Sequence, residues 1–338
     1  MNTIRKTLFL SLLSVLTVFV FINSSLYAEK ASSVVAPGAT FKTVKTGFNG
    51  TEGPAVDADG NVYFTERAGS TIQKWTWADG KVTEYRKIEG GAIGQAFDTE
   101  GRLLICEFSG KLTRDDMKGG NLTIIADHVG EKRLHIPNDI WVAPNGGIYF
   151  TDFSFGGMKM DGGGQGRSQG GASVGDTPGG GMPGANEKIN PGDLGIDYVS
   201  PDGKTVTRVA DINSPNGIIG SPDGKTIYAG DGRKIVSFKI NPDGTLTDKK
   251  AFCEQGTDGM AIDERNNIYL TGDDALNVYN SKGEKVEDIP TPEKNCKIMK
   301  FGGKDRKTLF VAGNVAVYTL EMAVKGAPTA LDLAKGNK

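Results

Sequence analysis

The stretch EGPAVDADGNVYFTE, Glu52 to Glu66, decides the fold because it recurs. Two apolar runs flank a tight polar reversal, and the same phrase returns as GQAFDTEGRLLICE at Gly94 to Glu107, PNDIWVAPNGGIYFTD at Pro137 to Asp152 and PNGIIGSPDGKTIYAGD at Pro215 to Asp231. Two looser copies follow, TDGMAIDERNNIYLTGD at Thr257 to Asp273 and NCKIMKFGGKDRKTLFVAG at Asn295 to Gly313. Apolar runs around Asp-Gly, Glu-Gly or Asn-Gly are a strong hairpin signal. The first five copies start about 40 residues apart, apart from one long interval, and β units of that period indicate a propeller. Between the phrases lie second hairpins, WADGKVTEY from Trp77, SPDGKTVTRV from Ser200, NPDGTLTDKK from Asn241 and NSKGEKVEDI from Asn280. The expected fold is therefore an all-β, six-bladed β-propeller with four antiparallel strands per blade. No segment inside the repeats has a convincing helical period.

The expected propeller covers residues 41–325, preceded by a flexible segment at 29–40 and followed by a C-terminal tail at 326–338. Phe41 to Phe48 alternates weakly and has no partner in the first blade. Pairing it with the strand near Val315 to Leu320 closes the ring and removes two open edges.

Position within the phrase carries the chemistry. Counting back eight residues from the turn glycine reaches Glu52 from Gly60, Asn138 from Gly146 and Asn216 from Gly224; the same step from Asn266 reaches Asp258. The second copy puts Ile93 there, so the ring of polar side chains is incomplete. In a propeller this address is the mouth of each blade's innermost strand, and equivalent addresses face one another across the channel. Two carboxylates and two carboxamides form an all-oxygen set, which suits a hard divalent cation such as Ca²⁺, with Mg²⁺, Mn²⁺ or Zn²⁺ as other occupants. The competing reading is that these residues only cap turns beside Gly and Pro.

Composition narrows the function classes. The 338-residue chain is 38% hydrophobic and 24% charged, with a formal charge of −2 and a pI near 5.9. Those values are ordinary for a globular protein and of the wrong sign for a nucleic-acid partner. Arg5 and Lys6 precede an apolar stretch from Leu8 to Ile22 and the small residue Ala28, which reads as a secretory signal peptide over residues 1–28. Cleavage there removes both positive charges, takes the formal charge from −2 to −4, and implies a periplasmic or secreted protein with no membrane association; a retained N-terminal anchor is the alternative. Cys106, Cys253 and Cys296 fit no zinc spacing and sit among apolar residues, so they read as buried free thiols. Residues 156–192 stretch the third interval, and 13 of the 29 residues from Gly156 to Gly184 are glycine. This composition reads as a surface loop, and its start just after YFTDF makes a lid over the channel the sharper reading. It opens no helix, which argues against a dinucleotide site.

At Glu52, Asn138, Asn216 and Asp258 the sequence resembles the gluconolactonase and senescence-marker (regucalcin) family of six-bladed propellers. The matching stretches are TEGPAVDADG, IPNDIWVAPNG, SPNGIIGSPDGKTIY, TDGMAID and FGGKDRKTLF, from Thr51 to Phe310. The resemblance implies a divalent metal, usually calcium in bacterial members, held by those four residues. It also implies hydrolysis of a sugar lactone with Asp258 as general base. Members that open aldonolactones often carry an Arg two residues before the second ligand; here Ile136 stands there, preceded by His135. His135, Asp152 and Asn295 are the candidate substrate contacts. No Ser-His-Asp arrangement is required, and His128 and His135 are the chain's only histidines. The expected partner is a small-molecule lactone. Two other readings keep the fold: a phosphotriesterase-like hydrolase with the same metal, and a non-catalytic propeller presenting a binding surface.

Overall fold

The computed structural model describes residues 33–154, 190 and 192–336. The proposed signal peptide and nearly all of the Gly-rich segment at 156–192 lie outside the described residues. The rest forms six four-stranded antiparallel sheets, as the recurring phrase requires. Blade one comprises Thr51–Val56, Val62–Glu66, Thr71–Trp75 and Val82–Lys87. Blade two comprises Ala92–Phe97, Leu103–Glu107, Lys111–Asp115 and Thr123–Ala126. Blade three comprises Ile136–Val142, Ile148–Phe153, Gly195–Val199 and Val206–Asp211. Blade four comprises Pro215–Gly220, Thr226–Asp231, Lys234–Ile240 and Leu246–Cys253. Blade five comprises Met260–Ile262, Ile268–Thr271, Ala275–Tyr279 and Lys285–Pro290.

Blade six is built from both ends of the propeller. Ile298–Gly302, Thr308–Ala312 and Ala316–Glu321 are joined on the outer edge by Lys42–Thr46, with Lys42 opposite Thr319 and Thr46 opposite Ala316. The closure expected from Phe41 to Phe48 is therefore present. A small extra hairpin, His128–Val129 with Lys132–Arg133, links blades two and three.

The turn position used for counting has positive φ in all six blades: Gly60 (85°), Gly101 (83°), Gly146 (88°), Gly224 (69°), Asn266 (62°) and Arg306 (59°). Side chains rarely adopt this conformation, which explains the glycine preference. It also fixes the same start point for each second strand.

The core lies in the clefts between blades. Val62, Phe64 and Trp75 of blade one pack on Phe310 and Val317 of blade six. Tyr149, Ile196 and Tyr198 of blade three meet Ile218, Ile227 and Phe238 of blade four. Cys106 and Cys296 are buried and Cys253 is half-buried, all as free thiols. Within the lead-in expected to be flexible, Val34 is buried and Val35 bridges to Met322. The C-terminal tail carries a short helix, Ala330–Ala334, capped by Thr329 and Asp332. Its Leu331 is buried beneath blades one and two, and Asp332 pairs with Arg306 at 2.5 Å. Among the described residues no helix is long and apolar enough to cross a membrane.

Phe310 is fully buried between Phe64 and Trp75, with ring centroids at 5.3 and 5.5 Å. Phe310→Ala is expected to cost about 3–5 kcal/mol in urea unfolding. Val315→Ala, at a side chain 55% exposed, should stay within about 0.5 kcal/mol. Similar costs for the two would contradict a core placed between the blades.

Candidate functional site

Each residue picked by the offset sits at a local break in its blade's inner ladder. Register shifts by one residue between Glu52 and Ala55, between Ala92 and Gln95, between Pro137 and Ile140, and between Pro215 and Ile218. A β-bulge re-aims the side chain at the break, so Glu52, Ile93, Asn138 and Asn216 share one local geometry. In blade five Asp258 and Gly259 leave the ladder before its inner strand begins. Their N–H groups donate to Thr271 Oγ1 at 3.2 and 3.3 Å. Thr151 plays the matching part in blade three, accepting from the N–H of Asp139.

The residue after the address explains how the strands approach. A Cβ on Gly53 would lie 1.9 Å from the carbonyl oxygen of Ile93, one on Gly94 2.2 Å from that of Asn138, and one on Gly217 2.8 Å from that of Asp258. Neighbouring inner strands thus meet backbone to backbone. In blade three Asp139 takes this place, with its buried carboxylate accepting from Ile140 N–H (2.9 Å) and from Ile218 N–H of the next blade (3.1 Å). Burial raises the Asp139 carboxyl and lowers the half-buried Lys300 ammonium; the attraction between the two opposes both shifts. Lys300 Nζ also donates to the Met260 carbonyl at 2.9 Å.

At the mouth, Asn216 Nδ2 donates to Asp258 Oδ1 at 2.9 Å, which leaves the Asn216 carboxamide oxygen directed elsewhere. Lys297 Nζ donates to Asp258 Oδ2 at 3.2 Å. Glu52 lies close enough to Asp258 for the two to repel. Burial first, and that repulsion second, push Glu52 up to about 7. Burial raises Asp258 as well, opposed by Lys297 and Asn216. Arg67 approaches Glu52 at 3.9 Å and lies over the Phe108 ring. Glu52, Asn138, Asn216 and Asp258 are all half-buried, so each is open to a small ligand. Among the described residues no group of three or more His, Cys, Asp or Glu side chains converges on a metal position. Only two of the four address residues, Glu52 and Asp258, are carboxylates; Asn138 and Asn216 are carboxamides.

The three candidate substrate contacts fall in different surroundings. Asp152 is buried, and its carboxylate accepts from the backbone N–H groups of His135 and Ile136. Arg208 is 3.6 Å away. Asp152 thereby fixes the backbone at His135, which is half-buried. Asn295 is exposed at positive φ, 56°, and its N–H donates to the Asp273 carbonyl. A cavity of about 110 Å³ lies at the far ends of the inner strands, closed by Ala327 to Ala330, and none of the four address residues lines it. The counting rule missed Lys297 and Arg67. A lysine inside the apolar run NCKIMKF was the available signal for the first.

Asp152 is pushed up to about 7, from an ordinary 3.8, first by burial and then by the neighbouring Asp197. The folded protein holds this proton where the unfolded chain has released it. The resulting stabilisation is complete below about pH 4 and is lost as pH rises through about 7. The stability of the parent relative to Asp152→Asn, from urea unfolding, should therefore fall across that window and level off above it. A difference independent of pH would show that Asp152 is ionised throughout.

The sequence pattern of the SMP-30/Gluconolactonase/LRE-like region matches residues 50–314. A gluconolactonase of Zymomonas mobilis is 22% identical over 325 residues, covering 85% of this chain and 83% of that protein. The lactonase drp35 of Staphylococcus saprophyticus is 25% identical over 259 residues, covering 71% of this chain and 69% of the relative. A solved structure from Xanthomonas campestris, described as a gluconolactonase, superposes with a TM-score of 0.73 at 26% identity, over 86% of this chain and 91% of its own. With six closed blades and a match that takes in blades one to five and the two inner strands of blade six, the chain belongs to the SMP-30/gluconolactonase/LRE-like family.

Proposed function

We propose that the protein hydrolyses a lactone at the mouth of its channel, assisted by a divalent cation held by Glu52, Asn138, Asn216 and Asp258. The observation that carries this reading is the Asp258 carboxylate. It is oriented by Asn216 on one oxygen and Lys297 on the other, it stands beside Glu52, and its side chain is still 13% exposed. The lactone class is supported by the relatives named gluconolactonase and lactonase.

The four residues fit a hard cation. Their donors are all oxygens, and two are carboxylates whose burial and mutual repulsion hold Glu52 near 7, a repulsion that a cation between them relieves. Calcium is the favoured ion, and Mg²⁺, Mn²⁺ or Zn²⁺ would find the same oxygens. When bound, the cation would polarise the lactone carbonyl and stabilise its tetrahedral oxyanion. Asp258 takes a proton from the attacking water as the water oxygen bonds to the carbonyl carbon. The ring C–O bond then breaks, and the departing ring oxygen receives that proton as an alcohol. Asn216 keeps Asp258 turned toward the mouth, and Asp152 holds the backbone at His135.

Hydrolysis of an aldonolactone, followed by acid release, should stop on chelation and return with Ca²⁺. Asp258→Asn should lower kcat by at least ~10²-fold, whereas Asn138→Asp, which keeps an oxygen donor, should harm cation binding less. Full activity in metal-free protein would overturn the cation's role. An Asp258→Asn variant that is fully metal-loaded and as active as the parent would remove Asp258 as base. Turnover of an organophosphate with none of a lactone would reassign the substrate.

A further inference from the structure

Blade six supplies no oxygen-bearing residue to the ring. Its inner strand pairs without interruption from Ile298 opposite Ala312 to Gly302 opposite Thr308, so it has no bulge to turn a side chain inward. Lys297, one residue before that strand, reaches the site instead. Its backbone N–H donates to the Ala312 carbonyl at 2.8 Å, and its side chain is 2% exposed with Nζ 3.2 Å from Asp258 Oδ2.

We propose that Lys297 is the site's built-in counter-charge, which lowers its affinity for a divalent cation and holds the carboxylate pair together when no cation is bound. This rests on the reading of the four oxygens as a cation site. An ammonium removed from water to this degree is tolerated only against opposite charge, and Asp258 provides it. Glu52 also feels Lys297, which opposes the upward shift of its carboxyl. The formal charge of the site is consequently not that of two bare carboxylates. Lys297 at 3.2 Å from Asp258 and Arg67 at 3.9 Å from Glu52 bring it to neutrality. A divalent cation entering beside Asp258 gains the attraction of both carboxylates but meets the repulsion of an ammonium a few ångströms away. In surroundings of low polarity that repulsion is substantial. The same four oxygens without Lys297 would bind the cation more tightly but would leave two adjacent acids unbalanced in the cation-free protein.

The test uses the full mature chain, stripped with chelator and titrated with calcium chloride by calorimetry, and melted with chelator or with saturating calcium. Lys297→Met keeps the length of the side chain and removes its charge; it should bind Ca²⁺ at least ~10-fold more tightly than the parent. It should also melt lower in chelator, with the gap closing in calcium. Lys297→Arg, which retains the charge, should stay close to the parent in both measurements. If Lys297→Met does not fold without calcium, Lys297→Gln is titrated in its place with the same expected tightening. A folded neutral variant that binds calcium no more tightly than the parent overturns the proposal and leaves the cation site standing. Equal tightening in Lys297→Arg also overturns it, since charge would not be the cause. Absence of calcium binding in parent and variants alike overturns both the proposal and the cation reading.

Discussion

At three junctions, between blades one and two, two and three, and four and five, the inner strands come together at the channel mouth with no room for a side chain between them. A Cβ at Gly53 or Gly94 would fall inside the adjacent strand's carbonyl. The strand starts at these junctions are thereby drawn close together, and the residue just before each close contact must turn another way. The bulges at Glu52, Asn138 and Asn216 are the local answer: one extra residue bends the ladder and re-aims the side chain at the break. The polar side chains at the mouth are therefore a by-product of how closely the blades pack. Asp139 is the one departure in this set, where a carboxylate hydrogen-bonded to Ile218 N–H stands in for the missing glycine contact.

Electrostatics then limits what the released side chains can be. Four carboxylates here would repel one another whenever no cation is bound, whereas two carboxamides keep the number of oxygen donors and halve the charge. An acid in this position is held above its ordinary range, Glu52 being pushed up to about 7 first by burial and then by Asp258. The protein places a cation of its own against each: Lys297 against Asp258 and Arg67 against Glu52. A second lysine, Lys300, lies deeper in the channel and is matched by the Met260 carbonyl and Asp139.

Much of this was legible in the sequence because the repeat exposes it. The turn glycines set blade number and register, and a fixed step back from them reaches Glu52, Asn138, Asn216 and Asp258 at the mouth. The method fails where the repeat itself changes. In blade six the same step from Arg306 lands on Ile298, because that strand has no bulge, and the side chain that reaches the site comes from Lys297 instead. Arg67 escapes because it comes from the end of a second strand and reaches Glu52 through space. Asp152, a candidate substrate contact, has a carboxylate that accepts from two backbone N–H groups, a partnership the repeat pattern does not announce. The helix at Ala330–Ala334 is too short to give a period, and its evidence is a cap, Thr329 with Asp332.

The edge strand Lys42–Thr46 belongs to a blade otherwise made from the last part of the chain. Among the described residues its pairing with Ala316–Glu321 is the most non-local contact between strands, and bringing such distant segments together is entropically slow. Blades one to five can each form from contiguous sequence, whereas the sixth has to wait for both ends. The cleft holding Phe64, Trp75 and Phe310 is shared between the first and last blades, so it too is completed only at that step. Ring closure thus completes the sixth blade and that cleft together, and it brings Lys297 of the last blade near Glu52 of the first.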